Sequence, residues 1–152
     1  ESLLDSFGAR DREESRKLGV PSFRLFYHFL EALMRAGNSA IIEANFKPDY
    51  DSEKLLYLVN KYAFMSFQVH CATRDDILLE RYRVRGQSGS RHPGHFDQIA
   101  YSDLEKDLLK GYYKPLEIGG EIIHIDTTDF NKIDYDSLYN RIPAYLPPIA
   151  RL

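Results

Sequence analysis

A chain of 152 residues with 43% apolar and 28% charged side chains is long enough to bury a core and is not composed like a disordered segment. Its formal net charge of −3 excludes bulk attraction to nucleic acid, so any such role needs a local basic patch. Cys71 is the only cysteine, which excludes an internal disulfide and a cysteine-rich zinc centre, and no apolar run approaches the roughly 20 residues that cross a bilayer. A cytoplasmic protein with no membrane partner is expected.

The opening ESLLDSFG reads as the end of a helix closed by Gly8. Residues 9–19 are so charged that they read as a solvated connection or a short exposed helix. Val20-Pro21-Ser22 then opens a long helix whose Phe23, Phe26, Leu30, Leu33 and Met34 recur at helical spacing, and Gly37-Asn38 ends it. SAIIEANF (39–46) is a nearly continuous apolar run, the pattern of a strand covered on both faces in a parallel sheet. Asp51 is expected to begin the next helix, with Leu55, Leu58 and Val59 facing inward. MSFQVHC (65–71) is a second strand.

Thr73, with Asp76 three residues on, is expected to cap a helix that runs to about Arg85. A Gly/Ser/Pro-rich loop follows, and Ser102 with Glu105 forms a capping box for a helix through Lys110. EIIHIDTT (121–128) is a third strand and YDSLYNRI a short last helix. The Pro-rich tail, residues 143–152, is expected to lie along the surface. Strands alternating with helices predict an α/β fold over residues 1–142.

The junction ERYRVRGQSGSRHPGHFD (80–97) concentrates four arginines and two histidines at a helix end and the loop after it. At about 100° per residue, Arg81 and Arg85 lie within about 40° of one another, while Arg83 points to the opposite side. Arg81 and Arg85 can therefore converge on one anion, and Arg83 is expected to meet solvent, paired with Glu80. Glycines and serines in residues 86–98 suit a mobile lid that would bring Arg91 over a ligand. His92 and His95, without a neighbouring carboxylate or cysteine set, make a weak zinc signature, so no metal site is expected and His95 is read as a substrate contact.

Taken in order, AGNSAIIEANF, FQVHCATRDDILLERYRVR and IIHIDTT resemble the later two-thirds of small P-loop kinases, the relatives of polynucleotide, chloramphenicol and zeta-toxin phosphotransferases. In those proteins a strand ends in a (D/E)A(N/T)F stretch, a later one leads into an LLERxRxR lid helix, and a last one ends in VDTT or similar. The resemblance runs from about residue 1 to 141. It implies a P-loop NTPase-like three-layer sandwich with a parallel sheet, and ATP and Mg²⁺ as cofactors. No G-x-x-x-x-G-K-[ST] segment occurs among the 152 residues. The resemblance thus implies that two strands, the phosphate loop and the general base precede Glu1. It also implies a strand order 2-3-1-4-5, from which we expect no direct hydrogen bonds between residues 39–45 and 66–71.

Phosphoryl transfer needs cations over the transferred oxygens and exclusion of water more than covalent chemistry. The resemblance assigns Arg81 and Arg85 to that charge, with Arg74 and Arg91 on the nucleotide phosphates. Arg74 reads equally as an ion-pair partner of Asp75 or Asp76. Glu43, read as a buried carboxylate at a strand end, and Asn45 are expected at the mouth of the site as substrate contacts, or as structural hydrogen-bonders; Lys47 follows them and reads as a surface lysine. Asp126, Thr127 and Thr128 close the last strand, with a threonine capping a turn. The expected activity is ATP-dependent phosphorylation of a hydroxyl on a small molecule or nucleic-acid end. The alternative is a non-catalytic relative or interaction module without nucleotide binding. A third reading, RNA binding through the arginine helix, sits poorly with the net acidity.

Overall fold

The computed structural model describes residues 2–89, 92–109 and 113–145. The protein is α/β: six α-helices and two strands are assigned among the described residues. The chain divides into two compact units. One comprises residues 1–30 and 74–110, the other residues 31–73 and 111–152.

In the first unit, helix α1 (Ser2–Phe7) ends where expected: the Gly8 amide donates to the Leu4 carbonyl at 2.8 Å and Gly8 takes φ +70°. Helix α2 spans Arg12–Arg35 without a break, so residues 12–19, expected as a connection or separate short helix, are its first two turns. The local reason is a cap the charge density concealed. Asp11 Oδ1 accepts the Glu14 amide at 2.9 Å, and the Glu14 carboxylate reaches back to the Arg10 amide, also at 2.9 Å. Pairs at i, i+4, Arg10–Glu14 and Lys17–Glu13, support the same turns. The helix carries Pro21 in its interior. Its far end closes as a Schellman turn, with the Gly37 amide on Met34 O and the Asn38 amide on Leu33 O.

Helix α4 covers Asp75–Ser88, three residues beyond the expected stop, because Gly86 stays helical and Gly89 takes the left-handed position at φ +65°. Arg74 sits at its N-cap with no side-chain cap bond, so Thr73 does not cap it. After a 3₁₀ turn at Pro93–His95, helix α5 runs Asp97–Leu109. It begins five residues before Ser102, which places Ser102 and Glu105 inside the helix rather than at a capping box. Leu30 and Leu104 are the buried apolar residues of this unit. The aromatic face expected to be core is only partly so. Phe23 is 37% exposed, and Phe23, Phe26 and Tyr27 pack on one another with ring centroids 5.4–6.5 Å apart.

In the second unit, helix α3 spans Pro48–Lys61, three residues earlier than Asp51 suggested. Pro48 occupies the first helical position, where its missing N–H costs nothing. Asp51, 6% exposed, turns its carboxylate back to the Lys47 amide at 2.7 Å. Leu55 and Leu58 are buried as expected. Strands β1 (Phe67–Ala72) and β2 (Glu121–Asp126) pair in parallel, in register from Phe67↔Glu121 to Ala72↔Asp126. They make a two-stranded sheet. Residues 39–46 form no strand, which corrects the reading of SAIIEANF: a strand needs a ladder, and among the described residues β1 pairs with β2 alone. The run keeps a period of two in its burial. Ile41, Glu43 and Asn45 are exposed, whereas Ile42, Ala44 and Phe46 are half-buried.

Side chains of β1, and Ser66 just before it, do a second ladder's work against residues 113–119. Gln68 exchanges a pair of bonds with the Leu116 backbone, Nε2 to O at 2.9 Å and N to Oε1 at 3.0 Å. Ser66 Oγ donates to Gly119 O at 2.8 Å, and His70 Nε2 meets Tyr113 O at 2.8 Å. The bonded positions descend from 119 to 113 as β1 ascends, so this segment crosses the strand antiparallel to it. Gly119 and Gly120, at φ +69° and +74°, turn the chain into β2. Helix α6 (Tyr135–Arg141) follows, capped by Asp134 Oδ1 on the Ser137 amide at 2.9 Å. Among the described residues no helix is long and apolar enough to cross a membrane.

A Cβ on Gly120 would stand 2.0 Å from the Ser66 carbonyl oxygen, whereas one on Gly119 meets nothing within 4 Å. Gly119→Ala is therefore expected to cost only left-handed strain, about 1–2 kcal/mol. Gly120→Ala adds a backbone clash and should lower the urea midpoint clearly more than Gly119→Ala does. Equal midpoints for the two variants would contradict this packing.

Candidate functional site

The residues singled out from the sequence fall in both units: Arg74, Arg81, Arg85 and His95 in the first, Glu43 and Asn45 in the second. Arg91 lies outside the described residues. In α4, Arg81 and Arg85 stand one turn apart on the same side of the helix, since they are four residues apart in a continuous α-helix. The Arg85 guanidinium lies over the Tyr82 ring, 5.0 Å from its centroid, which orients the fork. Arg83, on the opposite side, grips Glu80 with two bonds of 2.7 and 2.9 Å, as expected of a solvent-facing arginine. That bond holds the Glu80 carboxyl below its usual range.

Arg74 closes a two-bond fork on Asp76, at 3.0 and 2.8 Å, and the pair is exposed on both sides. The ion-pair alternative weighed for Arg74 is the one observed, and Arg74 lowers the Asp76 pKa chiefly through that side-chain bond. Glu43 and Asn45 are exposed and stand on no strand. The reading of Glu43 as a buried carboxylate at a strand end is corrected by that exposure: in water the charge has no desolvation cost to offset.

His95 ends the 3₁₀ turn, and its carbonyl accepts from Arg12 Nη1 at 3.3 Å. His92 accepts the Gly94 amide on Nδ1 and meets Asp5 Oδ1 through Nε2 at 2.9 Å. This bond is the carboxylate neighbour that sequence inspection did not find, because 87 residues separate the partners. Among the described residues no group of three or more His, Cys, Asp or Glu side chains gathers where a metal could sit.

One cationic cluster escaped the sequence reading. Arg12 and Arg16 both contact Asp103 Oδ2, at 2.7 and 2.8 Å, and tie the first turns of α2 to α5. The signal was present as Arg12 and Arg16 at i, i+4, one face of a helix, but it was hidden in a run read as a solvated connection or a short exposed helix. Asp103 is held below its ordinary pKa, first by the Arg12 hydrogen bond and further by the charges of Arg16 and Arg12.

At the carboxyl ends of the strands, the Thr127 amide and Oγ1 both donate to Ala72 O, at 2.7 and 2.9 Å. Its hydroxyl hydrogen being spent there, Thr127 Oγ1 accepts from Thr73 Oγ1 at 2.5 Å. Thr73 thus locks the two strand ends together instead of capping α4. Asp126 Oδ1 accepts the Thr128 amide at 2.8 Å, an Asx turn that stops β2. These threonines build the rim beyond the carboxyl edge of a parallel sheet, where open α/β folds place ligands.

No family model matches the chain, and no curated protein sequence does. A solved structure does: a "putative kinase" from Chloroflexus aurantiacus J-10-fl, 34% identical, superimposes with a TM-score of 0.83 over 96% of this chain and 79% of that one.

The Asp103 anchor gives a signed pH dependence. Because the folded carboxyl is depressed, its stabilisation is fully present above the unfolded carboxylate range, about pH 5 and higher, and fades as pH falls through the lowered value. Asp103→Asn should cost about 1 kcal/mol near pH 7. That difference should shrink toward pH 3 in urea melts of the two proteins.

Proposed function

We infer that this chain, which belongs to the same family as the Chloroflexus aurantiacus protein and is kinase-like, supplies the charge-neutralising arginines of an ATP-dependent phosphotransferase that acts on a hydroxyl acceptor. The observation that carries the reading is the 34% identity and TM-score of 0.83 to that protein, joined to the paired arginines of α4. Two guanidinium groups one helical turn apart match the spread of negative charge on a phosphoryl group in flight, and each fork can donate to two oxygens. Arg85 is pre-oriented by its ring contact, which lowers the ordering cost of binding an anion.

On this reading Arg81 and Arg85 neutralise the transferred phosphoryl, and Arg91, which lies outside the described residues, binds the nucleotide phosphates. Arg74 is the weakest member of the set, because binding a phosphate requires it to leave Asp76. Glu43 and Asn45, exposed, are available to an acceptor hydroxyl, with His95 as a further contact. Mg²⁺ is held in such sites by phosphate oxygens and one or two carboxylates.

The expected outcome is ATP-dependent transfer to a hydroxyl-bearing acceptor, read from ADP release across an acceptor panel. Arg85→Ala should reduce turnover by about 10²-fold or more while the circular dichroism spectrum is kept. Arg83→Ala, which removes the surface contacts to Glu80 and Gln87, should leave turnover within about twofold of the unsubstituted protein. Turnover unchanged in Arg85→Ala would remove this arginine from the chemistry.

A further inference from the structure

Strand register brings two histidines together at a place the kinase reading does not use. His70 and His124 are directly paired across the parallel ladder, and their Nδ1 atoms stand 3.2 Å apart with the rings at 76°. His70 is oriented from behind: its Nε2 lies 2.8 Å from the Tyr113 carbonyl oxygen, which can only accept. The Nε2 of His70 therefore carries a hydrogen, and in the neutral ring its Nδ1 presents a lone pair toward His124. His124 is exposed, so its ring can turn and its own hydrogen can move to Nε2, where water receives it.

We propose that His70 and His124 form a two-imidazole site for a divalent late transition-metal ion, Zn²⁺ being the probe. Two nitrogens bound at about 2.0–2.1 Å to one tetrahedral Zn²⁺ stand about 3.3 Å apart, close to the separation the ladder imposes. The backbone carbonyl behind His70 is the outer partner that metal-bound imidazoles commonly have, fixing tautomer and ring angle. Water completes the coordination on the exposed side of His124. The ladder, rather than the side chains, sets the bite. A metal replaces the one shared hydrogen between the rings and makes no demand on the backbone.

The test is titration of the protein with ZnCl₂ in a non-chelating buffer, followed by calorimetry and by ¹H–¹⁵N correlation of the five imidazoles. One equivalent of Zn²⁺ is expected, with the His70 and His124 ring resonances moving together and those of His28, His92 and His95 unmoved. His124→Gln, at an exposed position, should weaken binding by about tenfold or more. Cys71→Ser and His92→Gln should leave binding unchanged. The proposal is overturned if no heat is released at 100-fold excess of Zn²⁺, if His124→Gln binds as the unsubstituted protein does, or if the shifted resonances belong to other histidines. Because the ring resonances are read on the unsubstituted protein, the result stands even if a variant fails to fold.

Discussion

Six residue pairs of parallel ladder, Phe67↔Glu121 to Ala72↔Asp126, are the constraint on which the second unit depends. Parallel strands cannot be joined by a tight turn, so the chain must travel 48 residues before it returns to the neighbouring position. A two-stranded sheet is weak by itself. The strand compensates by using side chains as well as backbone: Ser66, Gln68 and His70 grip successive carbonyls and an amide of residues 113–119, and the paired threonines clasp the far end. Register then decides chemistry, since a one-residue slip would part both the histidine pair and the threonine pair.

The arginines show how a local pattern can be read correctly and still leave function undecided. Among the described residues the guanidinium groups of Arg10, Arg12, Arg16, Arg74, Arg83 and Arg141 are tied to carboxylates. Arg81 and Arg85 differ in position, not in residue type. They share a side of α4 that does not carry the Glu80 pair, and Arg85 rests on an aromatic ring. For that reason the phosphate reading is concentrated on these two, while Arg74 recedes.

Much of the architecture was legible because short-range physics controls it. The Gly8 and Gly37 stops, the two strands with their parallel sense, the inward Leu55 and Leu58 and the last helix all follow from periodicity and turn chemistry. Misreadings arose where a distant partner overrode a local signal. Ser102 and Glu105 look like a capping box, yet Asp103 between them is anchored by α2 and the helix continues through all three. SAIIEANF has strand composition but no ladder, and composition alone makes no hydrogen bonds. The Asp103 cluster and the His70–His124 contact were invisible for the same reason: their members are 54 to 91 residues apart in the chain.

Pro21 lies in the middle of α2 and has no amide hydrogen, so the Lys17 carbonyl lacks the helical donor four residues on. Ser22 bends its hydroxyl to Leu18 O at 2.8 Å, strengthening the turn just beside the gap. The helix therefore consists of two cooperative stretches, one started by the Asp11 cap and the other ended by the Gly37 turn. The imino acid between them is a built-in seam in an otherwise continuous rod.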